Sequence, residues 1–333
     1  MRVCIVGGGS LGHVCAAFFS SRGGADVNVF TQRPEAWSHT LTIEDCDGKV
    51  MTGQLGVVSS RPDEALNGCD LILLCLPGFA IERTLQKIAP YIGQAVVGSI
   101  VSSTGFFFMA HKVLGNKARL FGFQRVPFIA RTVEYGRSAR LLGYKSQLAI
   151  ATENLADAEA FRAQVETLCQ TPTQLLSHYL EVALTNSNPI LHTGRLYTMW
   201  SGWSGETVPE CLLFYEGWTD AASELLIAMD HEFFRLLEKL GLADKSIQPL
   251  LTYYESHNAS SLTRKIQSIK AFKGITAPMR QTPDGWVPDF GSRYFTEDFP
   301  FGLRFIVDLA HEHHVDIPNM ERVLAWGLSV MQP

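Results

Sequence analysis

The first twelve residues, Met1-Arg-Val-Cys-Ile-Val-Gly-Gly-Gly-Ser-Leu-Gly12, carry a short apolar run straight into a glycine turn and then into a helix of small and apolar residues. Gly7, Gly9 and Gly12 stand at G-x-G-x-x-G spacing. In a strand-turn-helix unit the first glycine permits the tight turn and the second lets the backbone approach a pyrophosphate. The third lets helix and strand pack closely. The amides of Gly9, Ser10 and Leu11 would then face the phosphates from a helix N-terminus. With 28 glycines in 333 residues the spacing alone arises often by chance. Context gives it meaning here, because Val3–Val6 reads as a buried strand and Leu11–Phe19 as a helix.

The pattern continues in the same style as far as about Leu168. Short β-rich runs at Val3–Val6, Val27–Phe30, Leu71–Leu76, Ala95–Ile100, Leu120–Phe123 and Gln147–Ala151 alternate with helical stretches at Leu11–Ser20, Ile81–Ile92 and Ala156–Cys169. Such alternation predicts an α/β fold with a Rossmann-type, doubly wound parallel sheet. The run Asp70 to Pro77 reads as its fourth strand, ending in a turn that would place Pro77 beside the nucleotide, since open α/β sheets bind ligands at strand carboxyl ends. After Pro172 the periodicity turns helical, with helices expected at Leu175–Thr185, Thr219–Leu240, Gln248–His257 and Phe301–His313. The expected domains are therefore a dinucleotide-binding domain over 1–172 and an all-α substrate domain over 173–333, with the site in the cleft between them. At 46% hydrophobic residues the chain can fill two cores.

Composition removes several classes of function. A net charge of -5 offers no basic field, so no nucleic-acid partner is expected. The longest apolar stretch, Leu71–Ile81, is too short to span a bilayer and is broken by Pro77 and Gly78, so no membrane partner is expected either. The N-terminus opens on a strand rather than on a signal-peptide pattern. Seven scattered cysteines with no CxxC pair read as reduced thiols, consistent with a cytoplasmic enzyme. The sequence leaves open a monomer or a homodimer.

The choice of nucleotide rests on the end of the second strand. NAD-selective sites place an Asp or Glu there for the ribose 2′-hydroxyl. Here Thr31 and Gln32 are neutral and Arg33 follows, so the expectation is NADP or NAD, tilted toward NADP by an arginine able to neutralise a 2′-phosphate. The alternative is that Arg33 stacks on adenine or faces solvent.

In the second half, Asn186-Ser-Asn-Pro-Ile-Leu-His192 ends a helix-like segment with a histidine just past Pro189. A histidine titrates near neutral pH and can handle the proton that accompanies hydride transfer. On its own, one histidine among apolar neighbours is more often structural. Pro288-Asp-Phe-Gly-Ser-Arg-Tyr-Phe-Thr-Glu-Asp-Phe-Pro300 gathers charges and aromatics ahead of a helix, where Asp298 as a cap and Arg293 as its ion partner are the plain readings.

These segments, with the glycine turn, Arg61-Pro62, Ala89-Pro-Tyr91, Trp200 and Trp203, Val208-Pro-Glu210, Phe214-Tyr-Glu-Gly217 and Phe272-Lys-Gly274, run through most of the chain. In them it resembles the octopine/nopaline (opine) dehydrogenase family, most of all its octopine dehydrogenase branch. The string Asp289-Phe-Gly-Ser-Arg-Tyr-Phe-Thr-Glu-Asp298 is long enough to be specific. The resemblance implies an NAD(P)H-dependent enzyme that joins an amino acid to a 2-keto acid such as pyruvate and reduces the imine to a secondary-amine dicarboxylate. It implies His192 and Asp298 as an acid/base dyad and Arg293 as the substrate arginine, whose planar fork suits a carboxylate.

The chain departs from the family pattern at Gln124, where an acid is usual, and at Arg125, where a threonine is usual. Without the acid a guanidinium donor is disfavoured, and Arg125 points either to an extra substrate carboxylate or to a local ion pair with Glu134. Ser102 and Ser103 replace a glutamine-containing turn, so Ser103 is a candidate substrate contact. Trp200 and Trp203, near His192 in sequence, are candidate pocket walls. His311-Glu-His-His314 lacks metal-ligand spacing, and no metal is expected. The alternatives are a ketopantoate-reductase-like 2-keto acid reductase, which relies on a lysine, and a non-catalytic NADP-binding sensor.

Overall fold

The computed structural model describes residues 1–185, 187–243 and 245–331; Asn186, where the histidine-bearing segment was read to begin, lies outside them. Its contacts divide the chain into compact units at Met1–Thr185 and Asn186–Pro333.

In the first unit the order is β1 (Arg2–Val6), α1 (Ser10–Ser21), β2 (Asp26–Phe30), β3 (Thr40–Asp45), β4 (Val50–Ser59), α2 (Pro62–Ala65), β5 (Leu71–Leu74), α3 (Gly78–Ile88) and β6 (Val96–Ser99). It continues with α4 (Phe106–Leu114), β7 (Leu120–Phe123), β8 (Phe128–Glu134), β9 (Ser138–Tyr144), β10 (Leu148–Glu153), α5 (Ala158–Cys169), β11 (Thr173–Leu175) and α6 (Tyr179–Ala183). One sheet of eleven strands runs β11-β10-β7-β6-β5-β1-β2-β4-β3-β9-β8. The stretch from β7 to β4 is parallel throughout, and the strand order reverses at β1, which lies between β5 and β2. The Rossmann-type doubly wound fold is therefore the one expected. Its central strands are buried on both faces, which is why β1 and β5 read as unbroken apolar runs.

The sheet is wider than the alternation suggested. β3 pairs antiparallel with β4 and β8 with β9, adding two hairpins at one edge. The β3–β4 hairpin also makes Leu71–Leu74 the fifth strand in chain order rather than the fourth. Both hairpins have one face on the core and one in water, so their alternating sequences lack the apolar runs of the parallel strands. At the other edge β11 pairs with β10 and α6 packs over β10 and β7. That pairing keeps residues 173–185 with the sheet, thirteen positions beyond the change of character read at Pro172.

The second unit contains α7 (Asn188–Trp200), α8 (Asp220–Lys239), α9 (Leu250–Tyr253), α10 (Ala259–Ser268), β12 (Met279–Thr282), β13 (Gly285–Pro288), α11 (Arg293–Thr296), α12 (Arg304–Glu312) and α13 (Pro318–Val330). The twenty-residue α8 packs against α7, α10 and α13. Thr219 starts α8 by accepting from the Ala222 amide at 3.3 Å. Leu226, Met229, Phe233, Leu236 and Leu237 form its buried face. Two buried acids cap neighbouring helices: Asp230 accepts from the Leu250 amide at 3.0 Å, and Glu232 from the amides of Asn319 and Met320, each at 2.9 Å.

Two local readings change. Pro189 opens α7 instead of closing a helix, as its preset φ and missing N–H suit a first turn, so His192 sits one turn inside the helix. The otherwise helical unit also holds the β12–β13 hairpin, whose Pro283-Asp284-Gly285 turn was a signal passed over.

Candidate active site

Two sets of residues are candidates for the chemistry, one in each unit. In the first unit, β1 ends at Val6 and the chain turns through Gly7, whose φ of +119° is a conformation side chains rarely adopt. A Cβ on Gly12 would lie 2.2 Å from the Gly7 carbonyl oxygen, so only glycine lets α1 approach the turn. A Cβ on Gly9 would meet nothing within 4 Å, which leaves open space at the mouth of the turn. No side chain caps the first amides of α1 and its first turn has no acid. An open cradle over a free helix N-terminus fits a dinucleotide pyrophosphate. Ser10 and Leu11 form the first turn, with the Ser10 hydroxyl 3.1 Å from that of Thr132 and accepting from its amide at 3.0 Å. Pro77 sits at the N-terminus of α3, after β5, on the neighbouring side of the switch point.

At the end of β2, Thr31 is buried, with its hydroxyl 3.3 Å from that of Tyr135. Arg33 lies over the Tyr135 ring, 4.0 Å from its centre, and its side chain is exposed. Tyr135 comes from the β8–β9 hairpin and its ring reaches the glycine turn, where its hydroxyl is 2.4 Å from where a Gly8 Cβ would stand. His13 ties the same hairpin down, its Nδ1 2.9 Å from the Gly9 carbonyl and its Nε2 accepting from the Gly136 amide at 2.6 Å. Sequence reading missed this hairpin and with it Tyr135, because nothing local links residue 135 to the turn.

In the second unit, His192 Nδ1 lies 2.8 Å from Asp298 Oδ2 across 106 positions of sequence. The imidazole and the carboxylate are 10% and 19% exposed, so water competes little for the contact. Asp298 stands at the head of the Phe299–Leu303 turn, and its side chain caps no helix amide. The other imidazole nitrogen, Nε2, is 2.9 Å from the Tyr215 hydroxyl. With Nδ1–H donated to the carboxylate, Nε2 accepts from the phenol. Burial raises the Tyr215 phenol well above its ordinary range, which keeps it a donor.

Arg195, one turn after His192 on α7, is buried. Its guanidinium donates to the carbonyls of Phe214, at 3.3 Å, and of Gly217, and it stands 5.5 Å from the Trp218 ring centre. Burial pulls it down to about 10. It thereby holds both ends of the short turn that carries Tyr215.

The remaining candidates are scattered. Arg293 opens α11 with its side chain exposed, next to Tyr294, whose ring is 4.8 Å from that of His192. Trp200 is a core residue, 5% exposed and stacked near Phe295, so the structure assigns it to packing rather than to a pocket wall. Trp203 donates to the Glu206 carbonyl. In the first unit, Gln124 donates to the Glu181 carbonyl at 3.4 Å, and Ser103 lies in the 3₁₀ turn Ser102–Thr104. Arg125 is exposed and donates to the Thr185 carbonyl at 3.2 Å, whereas Glu134 pairs with Arg137, so the Arg125–Glu134 pair does not form. His311 pairs with Glu321. Among the described residues no helix is long and apolar enough to cross a membrane.

A groove of about 1390 Å³ lies elsewhere on the first unit, lined by residues such as Gly24, Asp70, Gly93 and Arg119. These precede β2, β5, β6 and β7, so the groove lies at the amino ends of the strands, away from the glycine turn. Ligands of such sheets bind at the carboxyl ends, opposite this groove.

Known proteins resemble the chain over both units. Residues 175–331 match the family model for the α-helical domain of NAD/NADP octopine/nopaline dehydrogenases, and residues 3–102 match that of ketopantoate reductase PanE/ApbA. Octopine dehydrogenase of Pecten maximus is 30% identical, over 98% of this chain and 89% of that protein. A solved octopine dehydrogenase with NADH and L-arginine superimposes with a TM-score of 0.90 at 29% identity, over 99% of this chain and 89% of that one. One with NADH and pyruvate gives 0.87 at 28% identity, over 100% and 89%.

Proposed function

Because this chain belongs to the octopine/nopaline dehydrogenase family, and is thus an NAD(P)-dependent oxidoreductase acting on CH–NH groups, we propose that it couples an amino acid to a 2-keto acid with His192 and Asp298 as its acid/base pair. The observation that carries the reading is the 2.8 Å contact between Nδ1 of His192 and the Asp298 carboxylate. That contact fixes the tautomer, leaves Nε2 as the nitrogen that exchanges protons, and stabilises the imidazolium when it forms. Attack of the amine on the keto carbon gives a carbinolamine, and a proton from the His192 side lets its hydroxyl leave as water. The reduced nicotinamide, when bound, supplies the hydride that reduces the resulting imine. Gly7, Gly9, Ser10, Leu11 and Gly12 would hold the pyrophosphate, and Thr31, Arg33 and Pro77 would border the rest of the nucleotide. Arg293 would grip a carboxylate through its planar fork.

The substrates bound by the solved octopine dehydrogenases make pyruvate the first keto acid to try. Arginine is disfavoured as donor, since Gln124 offers a guanidinium no charge. Arg125, which forms no pair with Glu134, supports a donor with a second carboxylate. The test is NAD(P)H oxidation with pyruvate and each standard amino acid in turn, and with pyruvate alone. The expected outcome is oxidation that depends on the amine and is faster with glutamate or aspartate than with arginine. Equal oxidation without any amine would mean a plain keto acid reductase.

A further inference from the structure

Resting on the acid/base reading above, we propose that Tyr215 is the third member of the proton chain: its hydroxyl, not Nε2 of His192 directly, hands the proton to the substrate. Both imidazole nitrogens are committed, Nδ1 to Asp298 at 2.8 Å and Nε2 to the Tyr215 hydroxyl at 2.9 Å. A proton leaving the ring on the Nε2 side therefore meets Oη first.

The phenol is not placed to swing aside. Its ring is stacked on Phe272, with centres 4.0 Å apart and planes 16° from parallel, and lies 6° from parallel with Trp218 at 6.2 Å. Phe214, edge-on at 4.9 Å, closes another side. Arg195 fixes the backbone on both flanks through the carbonyls of Phe214 and Gly217. Rotating the phenol off Nε2 would break this stack and leave a buried hydroxyl without its acceptor, whereas passing a proton along it moves no heavy atom. The ionisable groups around the hydroxyl are His192, Asp298, Tyr294 and Tyr254. None of them is a cation when His192 is neutral, and burial keeps the phenol protonated, so tyrosinate does not accumulate.

The step balances as follows. With His192 as imidazolium, Nε2–H passes its proton to Oη while Oη passes its own to the carbinolamine hydroxyl. The C–O bond breaks, water leaves, the amine lone pair forms C=N, and a neutral imidazole and an intact phenol remain. In reverse, Oη takes the proton of water as it adds while Nε2 takes that of the phenol.

Tyr215→Phe keeps the ring stack and removes the relay, so its fold and NAD(P)H affinity should be those of wild type. Turnover is read with NAD(P)H, pyruvate and whichever standard amino acid gives the fastest rate. The expected result is a fall in kcat of about 10²-fold. With it should come a solvent-deuterium proton inventory that is curved in the wild type, from two protons in flight, and linear in the variant. In ¹⁵N-histidine-labelled free protein, the Nε2 resonance of His192 should move on Tyr215→Phe, which checks the hydrogen bond without any substrate. A Tyr215→Phe rate within about threefold of wild type, a faster rate, or a linear wild-type inventory overturns the relay. His192→Gln separates the two claims. If it is inactive while Tyr215→Phe is active, only the relay fails. If His192→Gln turns over normally, or no amine supports oxidation, the acid/base reading itself falls.

Discussion

The two units build their candidate sites in opposite ways. The first makes its site from backbone: a turn of three glycines, the bare amides of α1, and open space where a Gly9 side chain would stand. The second makes its site from side chains drawn from three distant segments, His192 on α7, Tyr215 in the turn before α8 and Asp298 after α11. A backbone site is fixed by steric rules and tolerates almost no added atom. A side-chain site is fixed by partners, and losing one partner changes its chemistry before its fold. The interiors follow the same division. The sheet unit's core is mainly apolar, though it buries Glu181 to cap the start of α6, whereas the helical unit buries Arg195, Asp230 and Glu232 to cap helices and pin turns.

The sharpest break of that contrast is His192→Gln. It should lower turnover by about 10²-fold or more while leaving NAD(P)H affinity unchanged, since general acid/base catalysis is worth that much and the residues proposed for the nucleotide lie in the other unit. Steady-state kinetics beside equilibrium nucleotide titration reads both quantities, and wild-type turnover would remove the dyad from the mechanism.

Within the backbone site, two neighbouring glycines should behave differently. Gly12→Ala places a methyl 2.2 Å from the Gly7 carbonyl oxygen, a contact that backbone cannot relieve, and should cost about 3 kcal/mol of stability. Gly9→Ala meets nothing within 4 Å, so the melting temperature should hold while nucleotide affinity drops at least about tenfold, the methyl standing where a pyrophosphate must approach. If both variants melt like wild type, the close approach of α1 is not what requires the third glycine.

The buried acids of the helical unit sharpen the comparison through pH. Burial holds the Asp230 carboxyl up at about 6, against roughly 3.9 in an unfolded chain. Between about pH 4 and pH 6 the unfolded chain gives up a proton that the native one keeps. Stability therefore falls as pH rises through that window, and the penalty, about 3 kcal/mol, is complete above it. Asp230→Asn keeps an acceptor for the Leu250 amide and removes the charge. It should raise the melting temperature by about 5 °C at pH 7.5 and leave it unchanged at pH 4. An equal shift at both pH values would trace the effect to packing instead.

What sequence makes legible follows from how each unit is built. The glycine turn was readable because all its parts lie within twelve residues, and the parallel strands because burial on both faces leaves uninterrupted apolar runs. The β3–β4 and β8–β9 hairpins went unread since half of each strand faces water. Tyr135 was invisible for the same reason, being brought to Gly8 by a hairpin more than a hundred positions away. His192 and Asp298 were nameable only through the resemblance of their surrounding strings, because no spacing rule spans 106 positions. Nothing in the sequence marked Trp200 as packing or Tyr215 as the partner of Nε2. Aromatics at helical and loop positions look alike until their neighbours are known.

Arg33 is a place where the backbone site depends on a side chain, and it carries the smallest predicted effect. Its guanidinium rests on the Tyr135 ring at 4.0 Å, close behind Thr31, and no acid ends β2 to claim a ribose 2′-hydroxyl. A cation held over a ring beside the end of β2 can reach a 2′-phosphate, which NADPH has and NADH lacks. Arg33→Ala should therefore weaken NADPH binding by about tenfold, the worth of one charge-assisted contact at an exposed site, and NADH binding by less than about twofold. Tyr135→Leu, which removes the platform but not the charge, should show the same preference at lower amplitude. Should both nucleotides weaken equally in Arg33→Ala, the arginine serves the adenine face they share, and the preference for NADP inferred from the missing acid is lost.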